Sequence, residues 1–288
     1  MKNLLLSNDD GIHSRGIWAL KEHFDNRYRV FMVAPDRERS ASGHSISLHD
    51  PIRLKVIEKG RSYSVNGTPV DAVHLALLGV IKEKIDLVIT GINNGLNLGT
   101  DVFYSGTVSC AFQAAAFNIP GIAVSIDTSG LKERAESMDP AKYDDLDESY
   151  GPEESSAPSE SHGSGVKTIH YGTAIHFVSK IVEKLEEHPF DRDILLNVNV
   201  PNLPIEGIRG VEVTKLGRRH YYDNLIERED PKKNKYYWIE GILARDTLDE
   251  GTDVKAIHEK KVSITPLRLD ITAMDYVEKL KLWNFHVF

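Results

Sequence analysis

The sequence predicts an α/β fold, a mostly parallel sheet covered by helices on both faces. Three observations lead there. Apolar runs of strand length alternate with segments whose apolar residues recur at helical spacing. The strand-like runs are apolar without alternation, as strands buried on both faces are. Several of them end in loops rich in Asp, Asn, Gly and Ser, at the sheet edge where ligands bind in such folds.

The first strand covers residues 3–7 and runs into Leu4-Leu5-Leu6-Ser7-Asn8-Asp9-Asp10-Gly11. Ile12 to Phe24 carries Ile17, Leu20 and Phe24 at helical spacing, and Arg29 to Ala34 is a second apolar strand, which makes a βαβ unit. Asp71 to Ile81 reads as a helix with Val73, Leu77 and Val80 on one face. Ile85 to Thr90 is a strand and Ser105 to Phe117, small and apolar, a helix; Pro120-Gly121 introduces a strand over Ile119 to Ile126. After an interruption the pattern resumes with a helix over Thr168 to Glu186 and a strand over Ile194 to Val200, closed by Pro201. Val211-Glu212-Val213-Thr214 and Tyr236-Tyr237-Trp238-Ile239 read as the strands of a hairpin, with Asp230-Pro231 and three lysines between them. Tyr221, Tyr222, Tyr236, Tyr237 and Trp238 concentrate aromatic surface on this arm. Two strands alone are marginal in water, so the arm is expected to pack on the main domain or on a second subunit.

The interruption, 131–165, holds ten acids, three bases and seven serines, and so carries −7 of the net charge of −8. Too few apolar residues are present there to offset ordering entropy, and a mobile surface insertion is expected. The chain thus divides into a core over 1–206 containing that insertion, an oligomerisation arm over 207–261, and a segment over 262–288 that returns to the core or to a neighbouring subunit.

The 41% hydrophobic content is that of a globular protein. No stretch approaches the ~18 consecutive apolar residues of a membrane span, and the first strand follows Met1-Lys2 directly, leaving no room for a signal peptide. A single cysteine, Cys110, excludes an intramolecular disulfide framework and fits a reducing cytoplasm; among Ser109, Ala111 and Phe112 it reads as a small buried filler. With no basic surface, a nucleic-acid polymer is not an expected partner.

Four segments converge on the carboxyl edge of the sheet. Asp9-Asp10 is either a pair of helix-capping acids or a site for a hard divalent cation, the cheapest partner of two adjacent carboxylates. Pro35 to Ser45 follows the second strand, Gly91 to Asp101 follows the strand ending at Thr90, and Tyr104 to Ser109 opens a helix. Asn93, Asn94 and Asn97 offer amide oxygens to a cation and amide donors to anionic oxygens. Ser105-Gly106-Thr107 presents backbone N–H groups, hydroxyls and the positive end of a helix dipole, as a phosphate cradle does. Each loop alone is explained as well by turns and caps; four converging loops favour a site.

Ser7-Asn8-Asp9-Asp10-Gly11-Ile12, Ala34 through Ser45, and Gly91-Ile92-Asn93 through Tyr104-Ser105-Gly106-Thr107-Val108 closely resemble the SurE family, stationary-phase survival proteins that are metal-dependent 5′-nucleotidases. The likeness runs in order from residue 3 to about 126 and resumes more weakly at Leu195 to Pro201, Gly217-Arg218-Arg219 and Val262 to Leu267. It implies a Rossmann-like three-layer α/β/α sandwich with an extended C-terminal β-hairpin arm, exchanged between subunits of a homodimer or homotetramer. It implies one divalent ion per subunit, Mg²⁺ or Mn²⁺, on Asp9, Asp10, Ser40 and Asn93. Asn97, Ser105, Gly106 and Thr107 match the segment that holds phosphate, and Asn8, Ser42, Gly43 and His44 line the same mouth. Nothing carries over to 131–165.

The expected reaction is hydrolysis of a nucleoside 5′-monophosphate by water, the metal stabilising phosphoryl charge and lowering the water's pKa; 3′-nucleotides and polyphosphate fall within what the family allows. Asp9 or Asp10 accepts the proton, and His44 is either the leaving-group donor or a hydrogen-bonded loop residue. Covalent attack by Asp9 is disfavoured, because a carboxylate committed to a metal is a poorer nucleophile. The competing functions are a nucleotide-binding regulator without hydrolysis and a sugar-nucleotide glycosyltransferase.

Overall fold

The computed structural model describes residues 2–129, 168–188, 191 and 193–283, so the acidic insertion expected at 131–165 lies outside the described residues. The first strand, β1 (Asn3–Ser7), is central. Leu4 and Leu6 enter one apolar cluster and Leu5 another, each fully buried, because successive side chains point to opposite faces of the sheet. The neighbouring β2 (Arg29–Pro35) divides in the same way, Val30, Met32 and Ala34 to one side and Phe31 and Val33 to the other. Between them, α1 (Arg15–Phe24) covers the first face with Ile17, Leu20 and Phe24.

The sheet then extends both ways. Leu54–Glu58 (β3) and Ser62–Val65 (β4) lie beyond β2, while Leu87–Asn94 (β5), Gly121–Ile126 (β6) and Ile194–Val200 (β7) lie beyond β1. Val262–Arg268 (β11) pairs antiparallel with β7, and Val211–Val213 (β8) closes that edge, giving nine strands in the order β3-β4-β2-β1-β5-β6-β7-β11-β8. The central strands are parallel and the antiparallel pairings fall toward the edges. Pro69–Leu75 (α2) and Gly106–Ala116 (α3) cover the face opposite α1, and Tyr171–Glu187 (α4) lies beside α1. Buried Cys110 belongs to the α2–α3 cluster, and burial pushes its thiol pKa well up, as a filler's would be.

Two expectations are corrected. The helix expected over Asp71 to Ile81 begins at Pro69, where Thr68 and Asp71 form a capping box, and loses α geometry after Leu75, passing into a wider turn over Ala76–Val80 with Gly79 at φ 138°. Val211 to Thr214 is not a strand of the hairpin. The two-stranded ribbon pairs Arg219–Glu229 (β9) with Lys235–Asp246 (β10) around Asp230, whereas β8 joins the main sheet beside β11. The stretch 207–261 therefore splits into a sheet-edge strand, a ribbon over 219–246, and a short helix, α5 (Asp253–His258), whose Asp253, Val254 and Ala256 are buried. The final helix, α6 (Met274–Lys281), has no buried residue.

Candidate functional site

Ser7, the last residue of β1, pairs with Thr90 on β5. Asp10 lies three residues beyond that pairing, past the end of β1, and Asn93 three beyond it near the end of β5, where it still pairs with Ser125 of β6 after an irregularity. Asp9 is almost wholly buried beside the start of α3. The Thr107 hydroxyl donates to Asp9 Oδ1 by a short bond, and a Cβ on Gly106 would stand 2.8 Å from Asp9 Cβ and 2.9 Å from its Oδ2. Only glycine lets the helix come so close. The loop after β2 closes the other side, with the Arg39 amide donating to Asp9 O at 2.8 Å.

Burial raises the Asp9 pKa above 3.8; the Thr107 hydroxyl and the amides of Asp9 and Thr107 oppose the rise, and Glu38 adds to it. Among the described residues no Lys or Arg pairs with Asp9. Asp10 lies near enough to the Tyr171 phenol, which donates to Asn94 Oδ1 at 2.7 Å, for its charge to help raise that phenol's pKa after burial has done most of it.

This donor set fits a hard cation. Among the described residues no three His, Cys, Asp or Glu side chains cluster to hold a metal. What gathers is two carboxylates with neutral oxygens, suited to Mg²⁺ or Mn²⁺ and unlike a zinc site. Asn93 Nδ2 donates to Gly95 O at 2.8 Å, which leaves its Oδ1 as the end for a cation. Asn8 Nδ2 serves Gly11 O and Ser14 Oγ, while buried Asn8 Oδ1 and Ser42 Oγ have no hydrogen-bond partner among the described residues. Ser40 is exposed and its hydroxyl donates to Glu38 at 2.7 Å.

The phosphate-side residues divide. Ser105 caps α3 by accepting the Val108 amide at 3.1 Å, whereas the Thr107 hydroxyl donates to Asp9 and so is spent as a donor within the protein. The helix start keeps its backbone amides and the Ser105 O–H as donors, and not the Thr107 hydroxyl. Gly43 is tied to the same turn, its amide donating to Tyr104 O at 3.1 Å. Asn97 points inward; its Nδ2 donates to Ser125 Oγ at 2.8 Å. His44 is pinned by Gln113, whose Oε1 lies 2.9 Å from its Nε2, and Gln113 reaches His74 Nδ1 at 2.9 Å. Gln113 is seven residues along α3 from Gly106, about 10 Å at 1.5 Å per residue. His44 is thus brought to the flank of α3, not to the helix start.

Several residues that shape the site escape sequence reasoning. Asn197 and Asn199 of β7 hold the Asn97 peptide group, accepting its N–H at 2.9 Å and donating to its carbonyl at 2.8 and 3.0 Å. Asp253 accepts the Gly99 amide at 2.8 Å, and Arg219 and Tyr221 both donate to Asp101 Oδ2, at 2.5 and 2.8 Å. Two signals were available: the pair of asparagines inside the apolar strand Ile194 to Val200, polar groups that burial obliges to find partners, and Arg219 within the Gly217-Arg218-Arg219 segment of the resemblance.

Comparison with known proteins agrees with this geometry. A family model described as "Survival protein SurE" matches residues 4–223. A protein named "5′-nucleotidase SurE" from Carboxydothermus hydrogenoformans is 37% identical over 286 residues, covering 97% of this chain and 95% of its own. Its namesake from Aeromonas hydrophila is 38% identical over 285 residues, covering 97% of each. The crystal structure of SurE protein from Aquifex aeolicus matches with a TM-score of 0.74 at 34% identity, covering 98% of this chain and 99% of that one.

Proposed function

Because this chain belongs to the SurE family, we propose that it is a 5′-nucleotidase that hydrolyses nucleoside 5′-monophosphates to nucleoside and phosphate with the help of one divalent cation per subunit, Mg²⁺ or Mn²⁺. The observation that carries the reading is the buried Asp9 carboxylate, set without a described basic partner between Asp10 and the start of α3. Asp9, Asp10 and Asn93 would hold the cation, with Ser40 joining them once its hydroxyl leaves Glu38. Bound there, the cation supplies positive charge against the phosphoryl oxygens and lowers the pKa of a water.

The chain's own residues do the rest. The first amides of α3 face the remaining phosphoryl oxygens, and the helix dipole favours their charge. Thr107 fixes the orientation of Asp9 through its hydroxyl. Asp9 or Asp10 takes the proton of the attacking water. His44, held by Gln113 along the flank of α3, would meet the nucleoside rather than the scissile bond.

We extend the proposal to assembly, a homodimer or homotetramer through the ribbon β9–β10. Leu225, Tyr237, Trp238 and Ile239 are all more than half exposed on it, an apolar surface that a lone two-stranded ribbon does not bury. Among the described residues no helix is long and apolar enough to cross a membrane, and a cytoplasmic location is part of the proposal. Activity on 3′-nucleotides and polyphosphate belongs with it as a secondary expectation.

The test is phosphate release from a panel of nucleoside mono-, 3′- and polyphosphates with Mg²⁺, with Mn²⁺ and with EDTA. Release from 5′-monophosphates that EDTA abolishes and metal restores is the expected result. No release with any metal or nucleotide would leave a binding protein without hydrolysis in its place.

A further inference from the structure

The loop from Gly95 to Ser105, which joins β5 to α3, is held from outside itself by the last third of the chain. Asn197 and Asn199 grip its Asn97 peptide, and Arg219 and Tyr221 hold its Asp101. Its sharpest constraint is at Gly99. There the backbone turns left-handed, at φ +52°, and a Cβ would meet Gly217 O at 2.6 Å. Gly217 is packed in turn, with its own Cβ position 2.8 Å from Val254 Cγ2. The loop and the root of the ribbon therefore meet through their backbones, and side chains at the start of α5 pack against Gly217.

At that junction stands Asp253, with no exposed surface. Its Oδ2 accepts the Gly99 amide at 2.8 Å, and its Oδ1 accepts those of Gly217 and Val254 at 2.7 and 2.9 Å. Among the described residues no Lys or Arg pairs with it. A buried carboxylate is costly, and it is retained where backbone amides need an acceptor that nothing smaller supplies. Only a carboxylate offers two acceptor oxygens to amides on two sides; an asparagine would turn its NH₂ group against one of them.

We propose that Asp253 is a positioning residue for the phosphate seat. It clasps Gly99 to Gly217 and thereby sets the loop that carries Asn97 and leads into Ser105-Gly106-Thr107. The proposal rests on the nucleotidase reading for its effect on substrate, but the clasp is measurable without it. Asp253 touches no substrate; it acts through the backbone of the loop, and it ties the seat to the root of the ribbon.

The experiment compares Asp253→Asn with the wild type in the full chain at saturating Mn²⁺. KM for adenosine 5′-monophosphate and the inhibition constant of inorganic phosphate are each expected to rise about tenfold. Mn²⁺ affinity, read by electron paramagnetic resonance, stays at the wild-type value. Amide exchange over 96–104 accelerates on the order of tenfold while that over 3–12 does not change. A folded variant with wild-type KM, phosphate inhibition and loop exchange overturns the proposal. So does one that loses kcat alone in step with its unfolded fraction. If Asp253→Asn does not fold, Gly99→Ala strains the same junction from the loop side, and the same rise in KM and exchange is required of it. A wild type that releases no phosphate defeats the nucleotidase reading only; the exchange contrast then decides the clasp.

Discussion

Asp9 and Asp253 are both buried aspartates, both raised in pKa chiefly by that burial, and both without a described basic partner. Their surroundings differ. Asp253 spends its oxygens on three backbone amides from two other segments and its own helix. Asp9, at the open edge of the sheet, receives one hydroxyl and nearby amides on a face that borders Asp10 and the mouth. Burial and a shifted pKa are therefore poor guides to function by themselves. What separates a site from a strut is whether the carboxylate's acceptor capacity is consumed by the chain.

The contrast can be broken most decisively at Asp9. Asp9→Asn is expected to lower kcat/KM on the order of 10³-fold, since a cation's stabilisation of phosphoryl charge is worth several kcal/mol. Mn²⁺ should raise the melting temperature of the wild type and leave that of the variant unmoved, because ligand binding to the folded state alone stabilises it. Near-native turnover would remove Asp9 from the metal site.

The stability of the strut comes next. Asp253→Ala leaves buried amides at Gly99 and Gly217 without an acceptor and should cost about 2–4 kcal/mol in urea unfolding. Asp9→Ala in metal-free protein should cost less than Asp253→Ala. Equal losses would mean that Asp9 is as structural as Asp253.

The smallest effect sharpens the comparison through pH. A carboxyl raised above 3.8 in the folded state contributes stability that is complete below that value and is lost as pH climbs through the raised folded pKa. Metal-free Asp9→Asn should therefore gain stability over the wild type at about pH 7, and the gain should shrink toward about pH 4. Asp253→Asn should show no such gain, because it also loses an amide acceptor. A pH-independent difference at Asp9 would show that its burial carries no net penalty.

Much of the catalytic half was legible in the sequence because its signals are local. The strand at 3–7 and the strand Ile194 to Val200 announce themselves by apolar runs, and Ser105-Gly106-Thr107 by cap chemistry at a helix start. The strands β3 and β4 escape such a reading: the edge strand β3 has five residues and none buried, and β4, though mostly buried, has only four, two of them serines, too few to show a period. The partner of Tyr236 to Ile239 was misassigned for a related reason. Arg219 to Glu229 alternates too weakly to stand out against Val211 to Val213, which is more apolar but belongs to the sheet.

The sequence by itself determined the layered α/β plan, the carboxylate pair at the end of β1 and the capped helix start at Ser105-Gly106-Thr107, because each depends on neighbours within a turn or a strand. The tertiary structure alone decided what those oxygens meet. Thr107 reaches Asp9 across 98 residues and Gly99 reaches Asp253 across 154. No local pattern encodes such a meeting; it exists only once the sheet order has brought β1, β5, β6 and β7 side by side and folded the C-terminal segment back against them.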